Sequence, residues 1–183
     1  MTSALLSRNS NLNPLSKLSG HVRGWCALRS AKMKHPPTKE QLIGHLKDFP
    51  NYRNEVLEEF SDLSSDDLAA KIRSVEETSW IFEASNKLSP EVYSYYFPVF
   101  VEYAHSRDSE YDCHMPGWFA MSVDVQVRNS PRELLDLFPE FQKILSHIQR
   151  HLPKYYADDS NWAKQTNTLC NSVLKNISDA TPA

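Results

Sequence analysis

Residues 88–103 read L-S-P-E-V-Y-S-Y-Y-F-P-V-F-V-E-Y and predict the helix around which the fold is built. Ser89 can cap its N-terminus, Pro90 suits the first helical position, and Glu91 complements the helix dipole. Four side chains recur at helical spacing on one face: Val92, Tyr96, Val99 and Tyr103. Because aromatic residues also occupy the other faces, we expect this helix to be buried centrally, with a kink or break at Pro98.

A second apolar pattern, between residues 134 and 155, is the most regular in the chain. Its members are separated by alternating steps of four and three: Leu134, Phe138, Phe141, Leu145, Ile148, Leu152 and Tyr155. This spacing predicts a core-facing helix, or two collinear helices interrupted near Pro139. Because three heptads are few for a coiled coil, packing within the domain is the preferred interpretation, although the same stripe would also serve a dimer.

Capping signals and apolar periodicity predict further helices along the chain. Thr38 and Ser64 each begin a capping-box pattern, and we expect a single helix from Ser64 to Asn86. The only glycines after residue 33 are Gly44 and Gly117, which argues against tight hairpins. The predicted fold class is therefore mainly α, a compact single-domain bundle of about five to seven helices.

Residues 119–127 leave the secondary structure open. Met121, Val123, Val125 and Val127 alternate with polar residues, a period of two that predicts one short strand. Because a single strand would have no partner, a short helix or an extended connector is the alternative. The preceding residues, 105–118, are polar and irregular and end in Pro116-Gly117, so we expect a loop there.

Composition divides the chain into a basic, disordered N-terminal segment, residues 1–36, a helical domain, residues 37–178, and a frayed C-terminus, residues 179–183. The first 39 residues contain seven Lys or Arg and no Asp or Glu. Such a segment fits a tail preceding a functional start at Met33, a transit peptide formed by residues 1–32, or an arm that binds nucleic acid or anionic membrane. The three alternatives stay open.

The rest of the chain is acidic, since the 13 basic and 23 acidic residues after residue 39 give it a net charge of −10. This charge disfavours nucleic-acid binding by the folded domain. No apolar run approaches the length of a transmembrane helix, which predicts a soluble domain without a membrane role. Three widely separated cysteines, Cys26, Cys113 and Cys170, are typical of a reducing compartment, so we expect a cytoplasmic protein unless residues 1–32 target an organelle.

Residues 105–114 hold the side chains best suited to chemistry. Four of them are metal-ligand types and form the candidate set for a metal-binding domain or metal-dependent enzyme: His105, Asp112, Cys113 and His114. His147 and His151 lie four residues apart on a predicted helix and could also share an ion. Because no CxxC or HExxH motif accompanies these residues, we assign no metal site, cofactor or catalytic residue, and an enzyme is the less favoured class.

Surface interaction is the preferred interpretation of the same stretch. It combines carboxylates with aromatic side chains, and the predicted partner-binding residues are Asp108, Glu110, Tyr111, Asp112 and Trp118. Tyr and Trp are enriched in protein interfaces, and the carboxylates would complement a basic surface. The sequence thus favours a non-enzymatic protein-binding domain of unknown specific function whose partner is a basic protein.

Residues 80–100, W-I-F-E-A-S-N-K-L-S-P-E-V-Y-S-Y-Y-F-P-V-F, resemble a family of small uncharacterised bacterial helical domains. The shared features are a Trp, a Leu-Ser-Pro-Glu-aromatic step and a Tyr-Tyr-x-Pro-aromatic run, plain from Leu88 to Phe100 and looser over residues 41–127. That family is similar to the small acidic immunity partners of bacterial toxins, so the resemblance implies an immunity-type inhibitor. It implies no catalytic residue, and the basic N-terminal segment departs from it.

Overall fold

The computed structural model of the chain describes residues 33, 35–45, 51, 53–75, 78–156 and 160–181. All of them belong to one compact unit, residues 31–183. The predictions for residues 1–32, a disordered basic tail, a transit peptide or a binding arm, lie outside the described residues.

The described residues form eight α-helices and no strand, which confirms the mainly α prediction. The helices are α1 (Lys39–His45), α2 (Arg53–Phe60), α3 (Ser65–Ser74), α4 (Ser79–Ser85), α5 (Pro90–Ala104), α6 (Met115–Asn129), α7 (Phe138–Tyr155) and α8 (Ser160–Ala180). Three short 3-10 turns lie at Asp108–Tyr111, Pro131–Glu133 and Leu135–Leu137. None of the helices in this part of the chain is long and apolar enough to span a bilayer.

Helix α5 is the centre of the core, as the opening stretch predicts. The Ser89 hydroxyl caps it by accepting a hydrogen bond from the Val92 backbone N–H at 3.3 Å. Its rings pack against rings from four other helices, α2, α4, α6 and α7. The side chains that are fully buried in this way are Tyr93, Tyr96, Phe97 and Phe100. The helix does not break at Pro98 but continues to Ala104. Burial of side chains on both sides of the proline outweighs the one backbone hydrogen bond that proline cannot make.

The strand predicted near residues 119–127 is wrong, because these residues lie within helix α6. The buried apolar side chains recur at helical spacing: Phe119, Ala120, Val123 and Val127. Met121, which belongs to the alternating set, is 40% exposed, so the period of two does not describe burial. Pro116 lies in the first turn of the helix, where a missing N–H costs nothing, so the expected loop ends at His114.

Two other helix predictions are resolved by the structure. The seven-residue stripe from Leu134 to Tyr155 is buried within the chain, as its spacing predicts for an intramolecular core. Helix α7 begins at Phe138, with Pro139 in its first turn. The single helix expected from Ser64 to Asn86 is wrong: α3 ends before Val75, whose extended backbone (φ −97°, ψ 145°) separates it from α4.

The packing of α5 brings three helix ends together. Helix α6 runs antiparallel to α5, since the Tyr93 and Ser122 hydroxyls lie 3.0 Å apart near one end and Tyr103 hydrogen-bonds to Asp112 near the other. The hydroxyl of Tyr155, at the end of α7, donates to the carbonyl of Ala104 at 3.2 Å. The C-termini of α5 and α7 and the N-terminus of α6 therefore meet at one end of the domain.

Candidate functional site

The candidate site is the connecting segment, residues 105–114, which joins α5 to α6 where the three helix ends meet. It contains the 3-10 turn Asp108–Tyr111 and the four-residue candidate set for a metal site, His105, Asp112, Cys113 and His114. It also contains four of the five predicted partner-binding residues, and the fifth, Trp118, follows in the first turn of α6. The connecting segment is a short ordered structure, because its hydrogen bonds reach three helices.

Asp112 is the inner anchor of the connecting segment and is only 6% exposed. One carboxylate oxygen, Oδ2, accepts hydrogen bonds from the hydroxyls of Thr78 and Tyr103. The other, Oδ1, accepts from the backbone N–H groups of His114 and Met115 at 3.2 and 3.1 Å. These two bonds satisfy donors at the start of α6, as a capping residue does. Asp112 is thus an interior hydrogen-bond acceptor, and its oxygens do not face a partner.

Ser109 is the second anchor and is fully buried. Its hydroxyl lies 3.2 Å from the carbonyl oxygen of Ala104 and 2.9 Å from that of Ser106. The Ala104 carbonyl also accepts from Tyr155, so two side chains satisfy a backbone oxygen that the end of α5 leaves without a helical partner. The connecting segment is therefore tied to α5 and α7 at one point.

Glu110 forms the outer contact with α7. Its Oε1 atom lies 2.7 Å from Nζ of Lys154. The hydrogen bond from Lys154 is the main reason that the pKa of Glu110 is lowered, and the charges of Lys154, Arg107 and His151 act in the same direction. Glu110 is therefore ionised at neutral pH and already paired within the chain.

Tyr111 is the most exposed large hydrophobic residue described, with 91% of its surface accessible. It occupies the last position of the 3-10 turn, between the paired Glu110 and the buried Asp112. Asp108 is exposed at the first position of the turn, and Trp118 is half-buried. An aromatic side chain thus projects from a turn whose neighbouring residues are fixed, and that arrangement suits a protein contact.

Three imidazole rings form a histidine cluster, His105, His147 and His151, beside the connecting segment. The ring centroids of His105 and His147 are 4.0 Å apart, and those of His147 and His151 are 4.1 Å apart. Desolvation, followed by the nearby His105, His151 and Arg150, lowers the pKa of His147 to about 4. At neutral pH the central ring of the cluster is therefore neutral.

The metal-ligand candidates are not arranged as a metal centre. In the described part of the chain, no group of three or more His, Cys, Asp or Glu is placed so that it could hold a metal ion. Asp112 is directed inward, whereas Cys113 and His114 are exposed. Burial raises the pKa of the Cys170 thiol to about 12, so that thiol stays protonated and is a poor nucleophile.

Comparison with models of protein families, with curated proteins and with solved structures finds no match to the chain. The resemblance of residues 80–100 to bacterial helical domains therefore stays a prediction. In the structure, Tyr93, Tyr96, Phe97 and Phe100 of that stretch are core residues. The resemblance thus rests on residues that determine packing rather than contact with a partner.

Sequence reasoning missed the residues that are far from the connecting segment in the chain but contact it in the fold. The pairing of His147 with His151 is visible as a spacing of four, but His105 joins them only because α5 packs on α7. Thr78 and Lys154 give no signal either, since their partners are 34 and 44 residues away.

Proposed function

We propose that the chain is a non-enzymatic, cytoplasmic protein-binding domain that binds a basic protein surface through its connecting segment. The single observation that carries this proposal is the position of Tyr111, which is 91% exposed at the end of a 3-10 turn. Interfaces are enriched in tyrosine, and a few aromatic anchors supply most of their binding energy.

The anchors beneath Tyr111 support the proposal because they reduce the entropic cost of binding. Asp112 and Ser109, on either side of Tyr111 and Glu110, are 6% and 0% exposed and hydrogen-bonded to neighbouring elements. A turn that is already ordered loses less conformational freedom when a partner docks. Asp112, counted among the partner-binding residues from the sequence, contributes in this way as an anchor.

Charge supports a basic partner. The residues after position 39 carry a net charge of −10, and Asp108 adds an exposed carboxylate beside Tyr111. Complementary charge mainly raises the association rate and the specificity of a complex. Trp118, half-buried in the first turn of α6, extends the proposed surface. The resemblance of residues 80–100 supports the narrower class of immunity-type inhibitors, which would make the partner a toxin.

A pull-down from the protein's own cells, with the full chain as bait and mass spectrometry as readout, tests the proposal. The two interface variants are Tyr111→Ala and Asp108→Asn. The matched controls are Met121→Ala, an exposed apolar residue of α6, and Asp136→Asn, an exposed acid in another 3-10 turn.

We expect a basic protein to be captured by the wild-type chain and by both controls, and to be lost or strongly depleted with both interface variants. Binding measured with the purified pair should weaken as salt increases, since the exposed charges are screened. A partner captured equally by all five baits would show that the connecting segment is not the interface. Capture of acidic proteins alone would contradict the charge argument.

A further inference from the structure

The histidine cluster lies between the connecting segment and α7, so it contributes to holding one on the other. His105 is the first residue of the connecting segment, and its ring packs against that of His147 on α7 with centroids 4.0 Å apart. The ring of His151, one turn further along α7, also packs against the ring of His147, with centroids 4.1 Å apart. The three rings therefore form a continuous contact across the junction.

Hydrogen bonds fix part of the protonation pattern in the cluster. Nδ1 of His151 lies 2.8 Å from the carbonyl oxygen of His147, so this nitrogen carries the proton of the neutral ring. The backbone of Ala104, at the end of α5, lies close enough to the His147 ring to act against the lowering of its pKa. The His151 ring is thereby oriented, and a second proton on the His147 ring would add charge beside two other imidazoles.

Charged groups of both signs surround the cluster. Arg150 and Lys154 lie on α7 itself, and Arg107 lies on the connecting segment. The facing carboxylates of the connecting segment are Asp108, Glu110 and Asp112, but Glu110 is paired with Lys154 and Asp112 is engaged by Thr78 and Tyr103. A proton added to the His147 ring therefore meets the positive charge of Arg150 and two neighbouring imidazoles, and these neighbours disfavour its charged form.

We propose that His105, His147 and His151 form a proton-sensitive latch that holds the connecting segment on α7 at neutral pH and releases it on acidification. Neutral rings pack at these distances, whereas two imidazolium rings repel each other at the same separation. Release exposes the half-buried His147 ring fully to water and to protonation. The inference concerns the fold itself and does not depend on whether the connecting segment binds a partner.

The linkage between protonation of His147 and opening of the connecting segment gives the direction and size of the pH effect. His147 has a pKa of about 4 in the closed arrangement and an ordinary value of 6.5 when solvated. A base whose pKa is lowered on closing stabilises the closed state above pH 6.5, and that stabilisation is lost as the pH falls from 6.5 to about 4. Between pH 7 and pH 5, opening should become about twentyfold more favourable through this one group.

The test is an NMR titration of the full chain in the presence of a chelator, with amide hydrogen exchange measured at pH 7 and pH 5 and corrected for intrinsic rates. The imidazole signals give the pKa of each ring. The exchange of the His114 and Met115 amides, which Asp112 holds in the closed arrangement, reports opening of the connecting segment. The variants are His147→Gln, which cannot titrate, and the control His114→Gln, an exposed histidine of the same segment.

We expect the pKa of His147 to lie well below 6 and opening to increase about twentyfold at pH 5 in the wild-type chain and in His114→Gln. His147→Gln should lose most of that increase. A measured pKa of His147 near 6.5 would overturn the proposal even if His147→Gln does not fold. An unchanged pH dependence of exchange in His147→Gln would also overturn the proposal. So would exchange at the His114 and Met115 amides that occurs only when the amides of α5 exchange as well.

Discussion

Helix α5 and the connecting segment are adjacent in the chain, yet different forces hold them. Nine of the 15 residues of α5 are buried, and its rings contact those of Phe60, Phe82, Phe119 and Phe141. The connecting segment buries only two of its ten residues, Ser109 and Asp112, and both are polar. One region is stabilised by apolar area, and the other by a few hydrogen bonds and a histidine cluster.

The difference teaches that this molecule keeps its apolar core separate from the segment to which we assign the proposed partner contact. Apolar burial is roughly additive and tolerates small shifts, whereas polar anchors depend on geometry and lose most of their value when one partner leaves. We therefore expect the connecting segment to open without unfolding α5, as binding loops often do. The same contacts keep Tyr111 exposed and in place.

The largest effect should come from Phe100→Ala in α5. Phe100 is fully buried and its ring packs against those of Phe60, Phe82 and Tyr93. Loss of the ring removes its transfer free energy and leaves a cavity, so the free energy of unfolding should fall by about 3–5 kcal/mol. Unfolding by denaturant measures this loss. Tyr111→Ala is the matched control and should leave the unfolding midpoint unchanged; a large loss there would contradict the description of Tyr111 as exposed.

Asp112→Asn should have the next largest effect. The amide keeps the shape of the carboxylate but replaces one acceptor with a donor, which faces either two hydroxyls or two backbone N–H groups. We expect a loss of about 1–3 kcal/mol, with faster amide exchange concentrated at residues 112–115. Asp108→Asn serves as the exposed control. Equal effects of the two variants would show that Asp112 is not an anchor.

Ser109→Ala should cost about 1 kcal/mol, since it removes one buried hydroxyl without removing a charge. The hydroxyl lies near the carbonyl oxygens of Ala104 and Ser106, and the former keeps its bond from Tyr155. Exchange at residues 105–112 is the sensitive readout. A loss as large as that of Phe100→Ala would mean that the connecting segment belongs to the same cooperative core as α5.

Glu110→Gln should have the smallest effect, because the Glu110–Lys154 pair lies at the surface. We expect no measurable change in the unfolding midpoint at neutral pH. The pKa of Glu110 is lowered by Lys154, so whatever the pair contributes is present above the ordinary carboxyl pKa and lost as the pH falls through the lowered value. A strong destabilisation that persists in high salt would contradict a surface role for this pair.

The sequence predicts α5 and α7 well because periodic apolar residues encode helices that are buried on a defined face. The burial of the stripe from Leu134 to Tyr155 could be predicted without knowing which helices pack against it. The strand prediction for residues 119–127 failed because α6 is buried around much of its circumference, so that several periods fit its apolar residues. The break at Val75 was missed because apolar spacing continued across it.

The candidate site was predicted only in part, for a different physical reason. Tyr111 and Asp108 are exposed, as composition indicates, but nothing local distinguishes a surface carboxylate from the buried Asp112. Burial of Asp112 depends on Thr78, 34 residues earlier, and on Tyr103. The histidine cluster likewise requires the packing of α5 on α7. Long-range polar contacts leave no periodic signal in a sequence.

The measurement that tests the central claim most directly is the denaturant dependence of amide exchange at neutral pH, compared between α5 and residues 112–115. We predict that exchange in α5 rises steeply with denaturant, because it requires global unfolding and exposes a large surface. Exchange at His114 and Met115 should be faster and nearly independent of denaturant, as expected for local opening of the connecting segment. The same rates and the same steep dependence in both regions would contradict the account, since they would show one cooperative unit.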